Sequence, residues 1–188
     1  MTRASSSLAS RRCRGLLLAC LWLLAGTVAA QTLSGGAEEV KAAYLYKFVG
    51  YVDWPDSAFV GPDMPIVIGV VGADPVYAEL VRVVAGRSSH ARPLAARRLA
   101  PGDAFDGVHV LYVGEPGLMR TQWLQAARDR PMLIVTDMPQ GLDVGSALNF
   151  VPVQDRLRFE ASLRAVDRAG LKVSSRLLAL AQRVVNAP

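Results

Sequence analysis

Apolar positions along this chain alternate between two rhythms, one of helical period and one of unbroken or every-second-residue runs. From Ala37 to Asp53 the period is helical, with Val40, Tyr44, Phe48 and Tyr51 on one face, which predicts a helix with a buried aromatic stripe. Glu38 and Glu39 sit in its first turn, where the helix dipole favours negative charge. Trp54-Pro55 stops it, because the residue before a proline is pushed out of the α region. Ile66 to Val71 is unbroken and β-branched, as in a central strand covered on both faces. Gly72 to Pro75 turns the chain, with Asp74 as N-cap and Pro75 at the first helical position of a helix that Gly86 ends. A weaker strand near Leu94 to Leu99 follows, then a clear one from Val108 to Val113.

Pro116 to Asp129 reads as a helix with Leu118, Trp123 and Ala126 inward, and Met132 to Thr136 as a strand. Asp137 to Gly145 is a loop, and Ala147 to Val153 with Leu157 to Ala161 form a hairpin around Gln154, Asp155 and Arg156. A short helix near Leu163 to Arg168 breaks at Gly170. Ser174 or Ser175 caps a last helix with Leu177, Ala181 and Val184 as its apolar stripe. Strands alternating with helices, followed by a hairpin, predict an α/β fold: one domain, a mixed β-sheet with helices on both faces, three layers in all.

The N-terminus follows neither rhythm. Arg3, Arg11, Arg12 and Arg14 precede an apolar run from Gly15 to Val28, and Val28-Ala29-Ala30 offers small residues for cleavage. This is the pattern of a secretory signal peptide. Residues 1–30 are therefore expected to be removed after Ala30, residues 31–36 to form a flexible leader, and residues 37–188 to fold. Export places the protein in the periplasm. The four basic residues lost with the signal lower the net charge from +5 to +1, so the basic balance is no argument for a nucleic-acid partner. Both cysteines, Cys13 and Cys20, lie in the signal, and the exported chain must stand on its core without disulfides.

No catalytic, cofactor or metal-ligating set emerges. The two histidines, His90 and His109, stand at no ligand spacing from each other or from a carboxylate. His109 reads as a satisfied strand histidine and His90 as a solvated loop residue. No serine lies in a Gly-x-Ser-x-Gly elbow. Gly69 to Gly72 lacks the third glycine and the Gly-Lys-Ser/Thr of phosphate loops. Trp54 and Trp123 occupy positions that suit core packing.

Several segments, in order, resemble one known family. They are Val40 to Phe48 with Asp53-Trp54-Pro55, Ile66 to Gly72 running into Asp74-Pro75, and His109-Val110-Leu111-Tyr112. Arg156 to Glu160, Ala169-Gly170-Leu171 and Ser174 to Leu178 complete the set. Together they resemble the YfiR-like periplasmic family over Ala37 to Val185. The resemblance implies a non-enzymatic regulator that binds the periplasmic sensory domain of an inner-membrane signalling protein. It would repress a diguanylate cyclase and so lower cyclic di-GMP, and a peptidoglycan-associated outer-membrane lipoprotein would sequester it. A homodimer is left open. Two departures limit the likeness: Val108 stands where the family has a cysteine, so redox sensing does not carry over, and Ala161-Ser162 replaces a common Ile-Asn pair. A small-ligand binding protein feeding a sensor is the competing class, with a crevice expected near Gly72 to Asp74 and Gly114 to Pro116.

On the strand around Phe159, Leu157, Phe159 and Ala161 share the core face, while Arg156, Arg158 and Glu160 share the other. That charged stripe is the candidate partner-binding site. The rival expectation is that Arg158 and Glu160 pair with neighbouring elements and hold the C-terminal helices.

Overall fold

The computed structural model describes residues 29–114 and 118–186, so the signal segment's charged and apolar parts lie outside the described residues. By its contacts the chain divides into residues 1–36 and a compact unit from Ala37 to Pro188. The first helix, α1, spans Ala29–Val49, so the stretch expected as a leader, residues 31–36, is helical. Nothing there forbids it. Its glycines disfavour helix by about 1 kcal/mol each, but no proline interrupts the run.

The remaining elements are β1 Val52–Asp53, a 3-10 turn Asp56–Ala58, β2 Ile66–Val71, α2 Asp74–Val84, β3 Ser88–Ser89, β4 Arg92–Leu99 and β5 Val108–Val113. Then come α3 Leu118–Ala127, β6 Leu133–Thr136, β7 Leu148–Val153, β8 Arg156–Ser162, α4 Leu163–Arg168, β9 Lys172–Val173, α5 Ser175–Leu180 and β10 Arg183–Val185. Eight strands form a mixed sheet in the order β10-β8-β7-β6-β5-β2-β4-β3, and β1 pairs with β9 in a small second sheet. Strands β4, β2, β5, β6 and β7 are parallel, β8 runs antiparallel to β7, and β10 runs parallel to β8. The parallel part has the doubly wound order 2-1-3-4-5, with its switch point between β2 and β5.

Both faces of the sheet are covered, making three layers. Ile66, Ile68, Val70, Val110 and Leu133 pack in one cluster with α1 and with Val76, Leu80 and Val84 of α2. Val71, Leu111, Val113 and Ile134 pack on the other side with Trp123, Leu124 and Ala127 of α3. The α3 stripe is thus shifted from the expected one, since Ala126 is exposed.

Several local expectations need correction. Helix α2 is capped by Ala73, with Asp74 already its first residue and ion-paired to Arg98, because Pro75 fits the second position as well as the first. The last helix ends at Leu180, and Val184 belongs to β10, where it pairs with Ala161 rather than extending a helical stripe. The hairpin turn is Gln154-Asp155 alone, both in the left-handed region at φ 47° and 58°, as a two-residue turn of type I′ requires.

Candidate partner-binding surface

Strand β8 carries two candidate surfaces on its opposite faces. On one face, Phe159 meets Phe48 edge-on at 5.1 Å between centroids and Tyr44 at 6.0 Å, and Phe150 of β7 stacks with Phe48 at 5.9 Å. The Tyr44 hydroxyl donates to the Leu157 carbonyl at 3.3 Å, fixing α1 over the hairpin. Ala42, Leu45, Phe48 and Val49 are the buried residues of α1. Of the stripe expected to be buried, Val40, Tyr44, Phe48 and Tyr51, Phe48 is in the core while Val40 is exposed and the two tyrosines are half-buried, and all four line a groove of about 370 Å³ between α1 and α5. The helix therefore has two apolar stripes: one meets the sheet, and the other is only partly covered.

Phe159 floors this groove, Lys47 stands on its wall, and Leu177 and Leu180 form the α5 side. Leu177 is buried, but Leu180 is 61% exposed and Val40 is 42% exposed, so the rim is apolar and open. Helix α5 is set by Ser174, whose side chain accepts from the Leu177 amide at 3.3 Å, and whose own amide donates to the Tyr51 carbonyl at 2.9 Å. The rim is thus tied back to the end of α1.

The opposite face of β8 presents Arg156, Arg158 and Glu160. Arg156 and Arg158 are exposed and have no ion-pair partner among the described residues. Glu160 is drawn into β10 instead: Arg183 donates through Nε at 2.9 Å and through Nη2 at 3.1 Å to its two carboxylate oxygens. Those bonds and the charge of Glu160 hold the Arg183 guanidinium above its ordinary pKa. The three residues share a face, as expected, but Glu160 is committed within the fold, with its side chain only 16% exposed.

Of the crevice expected at the switch point, Gly72 and Asp74 line an open polar groove, while Gly114 packs against the β2–α2 turn. The Gly114 amide donates to Val71 O at 2.9 Å, and a Cβ on Gly114 would lie 2.7 Å from that of Ala73. The polar groove, of about 710 Å³, opens over β2 and β4, where Asp74 and Arg98 neutralise each other. Residues 115–117 lie outside the described residues.

His109 is buried and satisfied. Its Nδ1 accepts from the Val67 amide at 3.2 Å, which leaves the hydrogen on Nε2, 3.2 Å from the Ala58 carbonyl. Burial is the main reason its pKa lies below the ordinary 6.5. His90 is an exposed turn residue, as expected, in the two-residue β3–β4 turn, and its Nε2 also lies 3.0 Å from the Val49 carbonyl at the end of α1. Among the described residues no three His, Cys, Asp or Glu side chains gather to hold a metal ion.

The described residues thus form a small α/β domain with an open apolar groove on one side. The family model described as YfiR/HmsC-like matches residues 38–182, and the chain belongs to that family. No curated protein matches it. The family regulates diguanylate cyclases in the periplasm, and its role is regulatory rather than catalytic. No helix among the described residues is long and apolar enough to cross a membrane.

Proposed function

We propose that this protein, exported and cleaved after Ala30, binds the periplasmic sensory domain of an inner-membrane diguanylate cyclase and represses it. The α1–α5 groove carries this reading, because an aromatic-lined cleft with Val40 and Leu180 exposed at its rim suits an apolar side chain of a partner. A repressor of this kind performs no chemistry. It binds the inactive state of its receptor more tightly than the active one, and that difference alone sets how far the equilibrium moves. A peptidoglycan-associated outer-membrane lipoprotein that competed for the repressor would relieve the inhibition. Arg156 and Arg158, exposed and without an ion-pair partner among the described residues, supply a second contact for acidic groups on either protein.

The cellular test is the level of cyclic di-GMP. Deleting the gene should raise it, and restoring the exported chain should lower it again. An unchanged level in the deletion strain would reject the reading.

A further inference from the structure

We propose that a cleft between the β4–β5 loop and α3 binds one neutral sugar ring. It belongs to the apolar cluster on the other side of the sheet from the α1–α5 groove, and it stands whether or not that groove holds a receptor. Its cavity is about 280 Å³, lined chiefly by Pro101, Asp103, Phe105, Gln122, Trp123 and Ala126. Pockets for drug-sized ligands run from roughly 300 to 1,000 Å³, so this one suits a single ring.

One indole hydrogen in the cleft has nothing to bind. A buried tryptophan ordinarily places its N–H against an acceptor. Trp54 does so, donating to the His109 carbonyl at 3.0 Å. Trp123 is only 6% exposed, yet among the described residues its Nε1 has no hydrogen-bond partner. Nor is that nitrogen one of the fully enclosed polar atoms left unsatisfied. It therefore touches open space, and the space that Trp123 lines is this cleft.

The rim is built before any ligand arrives. Ala100 to Asp103 closes as a turn in both directions: the Asp103 amide donates to Ala100 O at 3.0 Å, and the Ala100 amide donates to Asp103 Oδ2 at 2.8 Å. Pro101 and Gly102 hold the central positions, with Gly102 at φ 93°, as a type II turn favours. Arg97 clamps the chain that follows, donating to the carbonyls of Ala104 and Asp106 at 2.6 and 3.0 Å. Arg130 lies 5.3 Å from the centre of the Phe105 ring, and Phe105 meets Trp123 edge-on at 5.4 Å. Such preorganisation lowers the cost of binding.

The polar groups of the lining select the ligand. Asp103 keeps its second carboxylate oxygen free, and Gln122 exposes a carboxamide without a partner among the described residues. The cleft thus offers an indole donor, a carboxylate acceptor and an amide of both kinds beside aromatic carbon. A pyranose is the complement: its hydroxyls donate and accept, and its C–H face packs on apolar surface. The one carboxylate in the lining disfavours anions. A proline-rich peptide also packs on aromatic rings, but proline has no N–H to give to Asp103 or Gln122.

The test is an NMR titration of the signal-free chain, whose two tryptophans are Trp54 and Trp123. The probes are glucose, N-acetylglucosamine, its trimer and poly-L-proline, each raised well past about 1 mM. The Trp123 indole signal should move and saturate with at least one sugar, while the Trp54 indole, already hydrogen-bonded, stays still. Gln122→Ala, at an exposed position, and Trp123→Phe, which keeps a ring but not the donor, should each weaken that sugar by about three- to tenfold. The Gln122→Ala result stands whether or not Trp123→Phe folds. A free saccharide and a glycan strand present the same ring, and cosedimentation with purified peptidoglycan sacculi separates them. Retention that falls in the variants places the ring in a glycan strand, and no retention leaves the free saccharide. A Trp123 signal indifferent to every sugar would overturn the site. So would a response to poly-L-proline alone, equal movement of Trp54, or a sugar affinity unchanged by Gln122→Ala and Trp123→Phe.

Discussion

Arg183 reaches from β10 across to β8 and grips Glu160 with two parallel hydrogen bonds, at 2.9 and 3.1 Å. The two residues are in register across the parallel pair, and the next amide back, Gln182, donates to Phe159 O at 2.7 Å. A charge on one face of β8 therefore helps hold the strand that follows α5, and α5 is one wall of the groove on the other face.

Glu160→Lys should set two cations in register and loosen β10. The expected result is a lower melting temperature and faster hydrogen exchange at Gln182 and along β10, with both recovered in the swapped pair Glu160→Lys with Arg183→Glu. Unchanged exchange in the single variant would show that the grip is ornamental and would return Glu160 to the exposed stripe.

This pair also shows what the sequence could and could not tell. Alternation along Arg156 to Glu160 correctly assigned faces, because side-chain direction in a strand is a local property. It could not assign partners, since Arg183 was read as part of a helix and β10 is three residues long, too short to carry a period. β1, β3 and β9 escaped for the same reason, having two residues each. The main strands were legible because their apolar runs are long. The groove was hidden because a helix with two apolar stripes looks, in sequence, like a helix with one broad buried face.

Gly141 packs against a buried polar cluster in which the Thr136 hydroxyl donates to Asn149 Oδ1 at 2.8 Å and the Met138 amide donates to the same oxygen at 3.1 Å. A Cβ at Gly141 would overlap both Asn149 Oδ1 and Thr136 Oγ1. Gly141→Ala should therefore destabilise the domain by about 1–3 kcal/mol, measured by urea unfolding. A loss below the error of that measurement would mean the loop moves aside freely.

Acid should cost stability through His109. The unfolded chain takes up a proton near 6.5, while the buried ring refuses it until a lower pH. The contribution is complete above 6.5, declines as pH falls below it, and is spent once the folded ring titrates. The slope from this one group is at most about 1.4 kcal/mol per pH unit. Urea midpoints between pH 8 and pH 5 should fall in the wild type and flatten in His109→Asn.

The proposed processing after Ala30 would remove Cys13 and Cys20 together. The intact mass of the periplasmic protein should match a chain beginning at Gln31, and strong reductant should leave its melting curve unmoved. A lipid-modified Cys20 at the N-terminus would contradict this.

The most direct test of the account is capture of the receptor from detergent-solubilised inner membranes, with wild type and Leu180→Asp compared side by side. Leu180 is 61% exposed, so the substitution should change stability by no more than about 0.5 kcal/mol. The wild type should retain a membrane protein bearing a diguanylate cyclase domain, and Leu180→Asp should retain at least about tenfold less, because a charge at the apolar rim would have to be desolvated against the partner's apolar side chain. Equal retention by both chains, or a wild type that captures no cyclase, would contradict the account.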